Sequence, residues 1–319
     1  MKTQFTLENA TNYGGFKIFL AYLEKIKFAK ALKNLSSGKA GNSLFPVYRI
    51  LLYLIIGWML GCERLFHFRK LQYDPLIRRF LGGRCPHHSL LYKDLVRLNK
   101  TCPNLRLNLR KVNQEVIRPC LPFELILDLD STVETVYGDQ SRAAKGTNPH
   151  KPGRKSYHPL LAFEGQSRLC LNAVLRAGNT HSSTGVASFL EQTFELIGDR
   201  SVKYARFDKG FGGEDFYRLW ESKRIGYVGK LKWTKRLAAE VAACRYWKRY
   251  VDDEEWVIEG ITLLYKATSW NKLRRVAIIR KARVMEDGQT RLIFDTDWQY
   301  EAIVTNLEWE PIDLWRFYN

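Results

Sequence analysis

At 319 residues, with 45% hydrophobic and 13% aromatic content, the chain is long enough for two or three packed units and too apolar for a disordered segment. Its formal net charge of +18 is unevenly spread: residues 1–122 carry 21 Lys and Arg against 6 Asp and Glu (+15), and residues 123–319 carry 30 against 27 (+3). An excess held in the first third points to an anionic partner, nucleic acid ahead of a membrane surface, rather than to a uniformly solvated basic face.

Residues 1–40 show helical periodicity with lysines on the outer face, ending at the Ser-Ser-Gly-Lys-Ala-Gly-Asn break of 36–42. The apolar run Ile50–Gly61 is about 12 residues, where a bilayer needs roughly 20, and Arg49 and Glu63 close it; it reads as a buried helix of a bundle. Tyr73–Phe80 and Ser89–Leu98 are two short helices joined across Gly82-Gly83 and Pro86, a pattern compatible with helix-turn-helix binding of DNA and equally with an ordinary bundle. On the second of them Tyr92, Lys93 and Arg97 are the candidates to meet DNA. The six cysteines (62, 85, 102, 120, 170 and 244) include no CxxC pair, and Cys85-Pro-His87-His88 has no second ligand cluster at zinc spacing, so ordinary thiols of a reducing compartment are expected. The N-terminus has neither the compact apolar core nor the cleavage site of a secretory signal.

Pro119–Pro122 marks a change of texture to an α/β pattern. Strands are expected at Phe123–Asp130, Leu160–Phe163 and Leu169–Leu175, then a helix at Thr184–Ile197, a strand at 203–208, a helix at Glu214–Lys223 and a strand at Ile225–Leu231. Antiparallel strands followed by helical crossovers make a mixed sheet covered by helices. Beyond Trp233 the β-rich runs Trp256–Lys266, Arg274–Val284 and Arg291–Trp298, with a turn signal at Asp287-Gly288, read as an inserted antiparallel sheet. Ala302–Thr305 is one more strand, and Pro311 opens a final helix. The expected domains are thus a helical, basic DNA-binding or dimerisation region (1–120), a core (121–243), a β insertion (244–300) and a return to the core (301–319).

Two strands end on acids and then turn: Asp128-Leu-Asp130 before Ser131-Thr132, and Arg206-Phe-Asp208 before Lys-Gly-Phe. Alternation along the first places Asp128 and Asp130 on one face. Paired carboxylates at one sheet edge hold divalent metal for phosphate chemistry; the alternatives are turn capping for the first pair and a salt bridge to Arg206 for Asp208. Between the two strands, the segment 137–161 carries Arg142, Lys145, Lys151, Arg154 and Lys155 among glycines, able to grip a phosphodiester backbone or to stand as a solvated loop. Trp256, Trp270 and Trp298 are candidates either to stack on a base or to fill the core.

In order along the chain, Leu127-Asp-Leu-Asp-Ser-Thr132, Tyr137-Gly-x-Gln140, Gly153-x-x-x-Tyr157-His-Pro-Leu-Leu161, Leu175-Arg-x-Gly-Asn179, Arg206-x-Asp-x-Gly-Phe211 and Tyr227-Val-x-x-Leu-Lys232 resemble the DDE transposases of bacterial insertion sequences. The series runs over more than a hundred residues, and Leu81–Leu98 is similar to the segment that precedes the core in such enzymes. The resemblance implies a ribonuclease-H-like core with a β-rich insertion, preceded by an all-α region. It implies that Asp130 and Asp208 are catalytic acids and metal ligands, with Asp128 a neighbour or the alternative to Asp130. It adds Arg176 to the DNA contacts, and implies Mg2+, with Mn2+ as substitute. Its partners would be double-stranded DNA at element ends and at the target, bound by a homodimer, in a cytoplasmic, nucleoid-associated setting with no membrane.

In that group a third acid is a glutamate in a Tyr-x-x-Arg-x-x-x-Glu-x-x-x-x-x-x-Lys helix after a Thr-Asn-Leu strand end. Thr305-Asn306-Leu307 is present and Trp315–Asn319 is similar to the start of that helix, so with Tyr318 as its tyrosine the Arg, Glu and Lys fall beyond Asn319. The resemblance therefore implies a C-terminally truncated transposase, its metal-dependent strand cleavage and transfer impaired. The alternative is a non-catalytic DNA-binding remnant or an inhibitor of the full-length enzyme.

Overall fold

A computed structural model of the chain describes residues 10–35, 38–252, 255–283 and 298–319. It divides into two compact units, Met1–Pro119 and Cys120–Asn319.

The first unit is helical. The expected helix before residue 40 is two pieces, α1 (Lys17–Lys25) and α2 (Phe28–Lys33), because Lys27 stands in the left-handed region at φ 54° and turns the chain between them. The apolar run becomes α3 (Val47–Met59), with Ile50, Tyr53, Leu54 and Ile56 at the centre of the core. Gly57 lets the Phe68 ring lie against the α3 backbone, where any methyl group would overlap it, and Tyr53 Oη donates to the Phe68 carbonyl (3.0 Å). Among the described residues no helix is long and apolar enough to cross a membrane. In α4 (Pro75–Phe80) Asp74 caps the Ile77 N–H (3.1 Å) and Pro75 presets the first turn. Next come α5 (His88–Thr101) and α6 (Leu105–Ile117), the latter not anticipated from the sequence. Asp94, 1% exposed on α5, is neutralised by Lys39 (2.5 Å) and Arg97 (2.7 Å).

The second unit is built on a nine-stranded sheet in the order β6-β5-β1-β7-β8-β12-β11-β10-β9. Strand β1 (Glu124–Ser131) runs antiparallel to β5 (Leu160–Glu164), which runs antiparallel to β6 (Cys170–Val174). On its other side β1 is parallel to β7 (Ser201–Phe207), and β7 to β8 (Gly226–Lys230). The parallel neighbours are reached through α7 (Val186–Ile197) and α8 (Glu214–Ser222). Three antiparallel strands followed by two parallel ones on the far side of the first is the ribonuclease-H-like arrangement. Leu125, Leu127 and Leu129 point into the core at 0–3% exposure, as the alternation requires.

After α9 (Lys235–Ala242) come β9 (Lys248–Asp252), β10 (Trp256–Tyr265), β11 (Arg274–Arg283) and β12 (Gln299–Thr305). They do not make a sheet of their own: β12 pairs antiparallel with β8, so the inserted strands continue the core sheet. The expected turn at Asp287-Gly288 and the run from Arg291 to 297 lie outside the described residues. The last helix, α10 (Pro311–Tyr318), packs Leu314 against Val228, Ala277 and Ile303. A separate small sheet, in the order β2-β4-β3, joins β2 (Glu134–Thr135), β3 (Ala144–Lys145) and β4 (Lys155–Tyr157).

Candidate active site

Strands β1 and β7 pair in parallel with Asp128 opposite Arg206 and Leu129 opposite Phe207. Asp208 follows directly on the end of β7, and β1 runs on through Asp130 to Ser131, so the two acids lie near the same end of neighbouring parallel strands. Asp130 is exposed, and Asp208 is half-buried. The Asp208 backbone is held in a tight turn: its Oδ1 accepts the Gly210 N–H (2.8 Å) and its carbonyl accepts the Phe211 N–H (3.2 Å). Desolvation pushes the Asp208 carboxyl above the usual carboxylate range and the charge of Asp130 adds to it, against the Gly210 N–H, Lys209 and Lys232.

Asp128 is held differently. Both its oxygens accept from Arg206, Oδ1 from Nε and Oδ2 from Nη2, each at 2.6 Å, so its charge is already paired within the protein. Arg206 is thus not the partner of Asp208, the alternative open to it from its own strand; it faces across to the neighbouring one. Its Nη1 also donates to the Phe317 carbonyl of α10 (2.7 Å), and its guanidinium lies 5.3 Å from the Phe317 ring. Through this tie Tyr318 comes close to all three aspartates: burial first, then the charges of Asp208, Asp128 and Asp130, push its hydroxyl up to about 12.

Ser131 Oγ donates to Ser182 Oγ (3.1 Å), bringing the 181–184 turn to the end of β1. That turn is organised by Arg176, which donates to the carbonyls of His158 (3.0 Å), Ser182 (3.0 Å), Thr184 (2.8 Å) and His181 (3.3 Å). Arg176 is therefore a structural tie of this turn, held through its Nε and Nη1.

The basic segment after β1 is folded rather than loose. Asn148, 5% exposed, donates to Thr135 Oγ1 (2.8 Å) and accepts the N–H groups of His150 (3.1 Å) and Lys151 (2.9 Å), tying it to the small sheet. Arg142, Lys145, Lys151 and Arg154 remain exposed on it, Arg154 lying 5.7 Å from the Tyr137 ring; Lys155 is paired with Asp139 (2.7 Å). In the other unit Tyr92 and Lys93 are exposed on α5, whereas Arg97 is drawn to Asp94. Trp270 is buried against Tyr217 and Tyr265, so no base can stack on it.

Among the described residues no group of three or more His, Cys, Asp and Glu could hold a metal ion. Other acids near α10 are engaged: Glu301 with Lys230 and Trp315, and Glu310 with Tyr250 (2.7 Å) and Lys248 (2.9 Å). A pair of mutually repelling carboxylates, one of them desolvated, still suits one divalent cation, which would relieve both the repulsion and the loss of water.

Over residues 1–319 the sequence matches the family described as transposase DDE domain group 1. This chain belongs to the DDE transposases. Domains of that family work with divalent metal ions, in keeping with the Asp130 and Asp208 pair. No curated protein matches the sequence. Among solved structures it is similar to a piggyBac transposase in a synaptic complex with hairpin DNA, at 11% identity and a TM-score of 0.43, covering 91% of this chain. The transposase chain described here spans 59% of the length of that protein, and a likeness this slight assigns no residue a role.

Proposed function

We propose that this chain cuts and joins DNA strands as the transposase of a bacterial insertion sequence, with Asp130 and Asp208 as its catalytic carboxylates. The observation that supports the reading is the parallel pairing of β1 and β7, which carry the two acids near the same end of the sheet, while Asp128 is paired with Arg206. Asp130 and Asp208 would hold Mg2+, or Mn2+ in its place; when bound, the ion supplies a polarised phosphoryl oxygen and a more acidic water. Asp208 would hold such an ion from the turn closed by Gly210, and the exposed Asp130 would be the ligand that a phosphodiester can approach. Tyr318, on α10, is near enough to the pair to feel its charge. Double-stranded DNA at the element ends and the target is the substrate, held by the basic first unit in a homodimer.

With two carboxylates and no third among the described residues, strand cleavage is expected to be slow. Nicking of a supercoiled plasmid in Mg2+ or Mn2+ tests this. A trace activity lost in both Asp130→Asn and Asp208→Asn supports the assignment, and activity indifferent to either substitution removes it. A second reading, a protein that binds DNA without cutting it, is favoured by the concentration of +15 in residues 1–122. Salt-sensitive DNA binding with no metal-dependent nicking would select it.

A further inference from the structure

A cleft of about 260 Å3 opens next to Asp208, in the second unit. Its floor is apolar, made by Phe211, Tyr217, Tyr265 and Trp270, each at most 4% exposed. Its rim is cationic, and among the described residues no carboxylate lines it. Lys209 and Lys232 are exposed there, and among the described residues neither has a carboxylate partner; Lys230, the third lysine, is taken by Glu301. Both free lysines are close enough to pull the Asp208 carboxyl down against the effect of burial. The wall between them is the backbone of Gly210-Phe-Gly-Gly213, where the Gly212 and Gly213 amides have no acceptor among the described residues. Glycine removes the side chains that would keep a ligand from those amides.

Two ammonium groups without a carboxylate partner and two amides without an acceptor, all in the lining of this cleft, are donors that a phosphate can use. We propose that this cleft is a phosphate subsite for a single DNA strand, seating the phosphodiester that neighbours the one at Asp130 and Asp208. The inference rests on the reading of those acids as the cutting site for its place in the reaction, but the binding itself does not depend on cutting. At this size the cleft admits one sugar–phosphate backbone and not a duplex, so the strand enters it where the DNA end is frayed.

Lysine acetylation of the full chain, read residue by residue by mass spectrometry, tests the proposal without metal and at low salt. The probe is a mixed-sequence single-stranded oligonucleotide, compared with the same sequence as a blunt duplex. The expected result is several-fold slower acetylation of Lys209 and Lys232 with the single strand, little change with the duplex, and an unchanged rate at exposed Lys223. Full-rate acetylation of Lys209 and Lys232 under saturating single strand, with lysines of the first unit protected, overturns it, as does equal protection by the duplex. The double variant Lys209→Gln/Lys232→Gln should flatten the salt dependence of single-strand binding by about 0.7 per lost phosphate contact. Protection that persists in Asp130→Asn/Asp208→Asn, in a chain that does not nick DNA, keeps the subsite and discards the cutting site. Nicking without protection does the reverse.

Discussion

A carboxyl group drawn out of water and set near a second carboxylate is easier to protonate than one in water, and Asp208 is in that position. Its folded-state pKa lies above the unfolded one, so its contribution to stability is complete below the unfolded value and is lost as pH rises through the folded value. At neutral pH the site is therefore a weak point, and Asp208→Asn, which keeps the acceptor for the Gly210 N–H, should raise Tm. Mg2+ should raise Tm of the native chain and not of the variant. Differential scanning fluorimetry at neutral and acid pH checks both, and a lower Tm for the variant at neutral pH would refute the argument. Arg274 shows the opposite sign. Its side chain, 2% exposed, bridges Glu214 (2.8 Å) and Glu221 (3.0 Å), and hydrogen bonding to Arg274 pulls Glu214 down to about 2. That stabilisation is present above the usual glutamate value of 4.5 and disappears as pH falls toward about 2. Arg274→Met leaves two carboxylates without their partner, lowers Tm at neutral pH, and should remove the corresponding step from an acid-unfolding curve.

Elements meet at Arg206. It joins β7 to β1 through Asp128 and to α10 through the Phe317 carbonyl, so one side chain holds the two acid-bearing strands and the helix that covers them. Arg206→Gln should cost about 1–3 kcal/mol, since the pair is partly screened by solvent. A double-mutant cycle with Asp128→Asn should show coupling, and additive effects would mean that the pair contributes nothing. This tie also marks the boundary of what one sequence shows. Alternation within β1 places Asp128 and Asp130 on one face, but which residue of β7 faces each depends on strand register, which neither strand encodes alone. Both acids were legible as residues, and the division of labour between them was not. Helix α6 escaped notice for a different reason: its Asn, Arg and Lys positions dilute the apolar stripe, and only packing of Val112 and Ile117 shows it. The break at Lys27 has no glycine to announce it, and Arg176, conspicuous as a cation, turned out to serve four carbonyls.

Across the whole molecule, the excess of basic residues is in the first unit, and the two acids proposed to hold the metal are in the second. Replacing Lys93 and Lys100, both exposed on α5, by Gln should lower duplex affinity and reduce the salt slope by about 0.9 per lost contact, measured by fluorescence anisotropy. Nicking by DNA-saturated protein should be unaffected, because those lysines are far along the chain from Asp130 and Asp208; a parallel loss of nicking at saturation would contradict the separation. The pairing of β12 with β8 has a consequence in time. Thr305 Oγ1 donates to the Tyr227 carbonyl (2.7 Å) and Asn306 bonds Tyr227 and Ile225 (2.8 and 2.9 Å), contacts that close a loop of 78 residues or more. Such closures come late in folding. During synthesis Asp130 and Asp208 can meet as soon as β7 lies beside β1, while the roof carrying Tyr318 docks only after the inserted strands have found their places. The chain should therefore pass through an interval in which its acids are paired but uncovered, open to water and to any cation at hand.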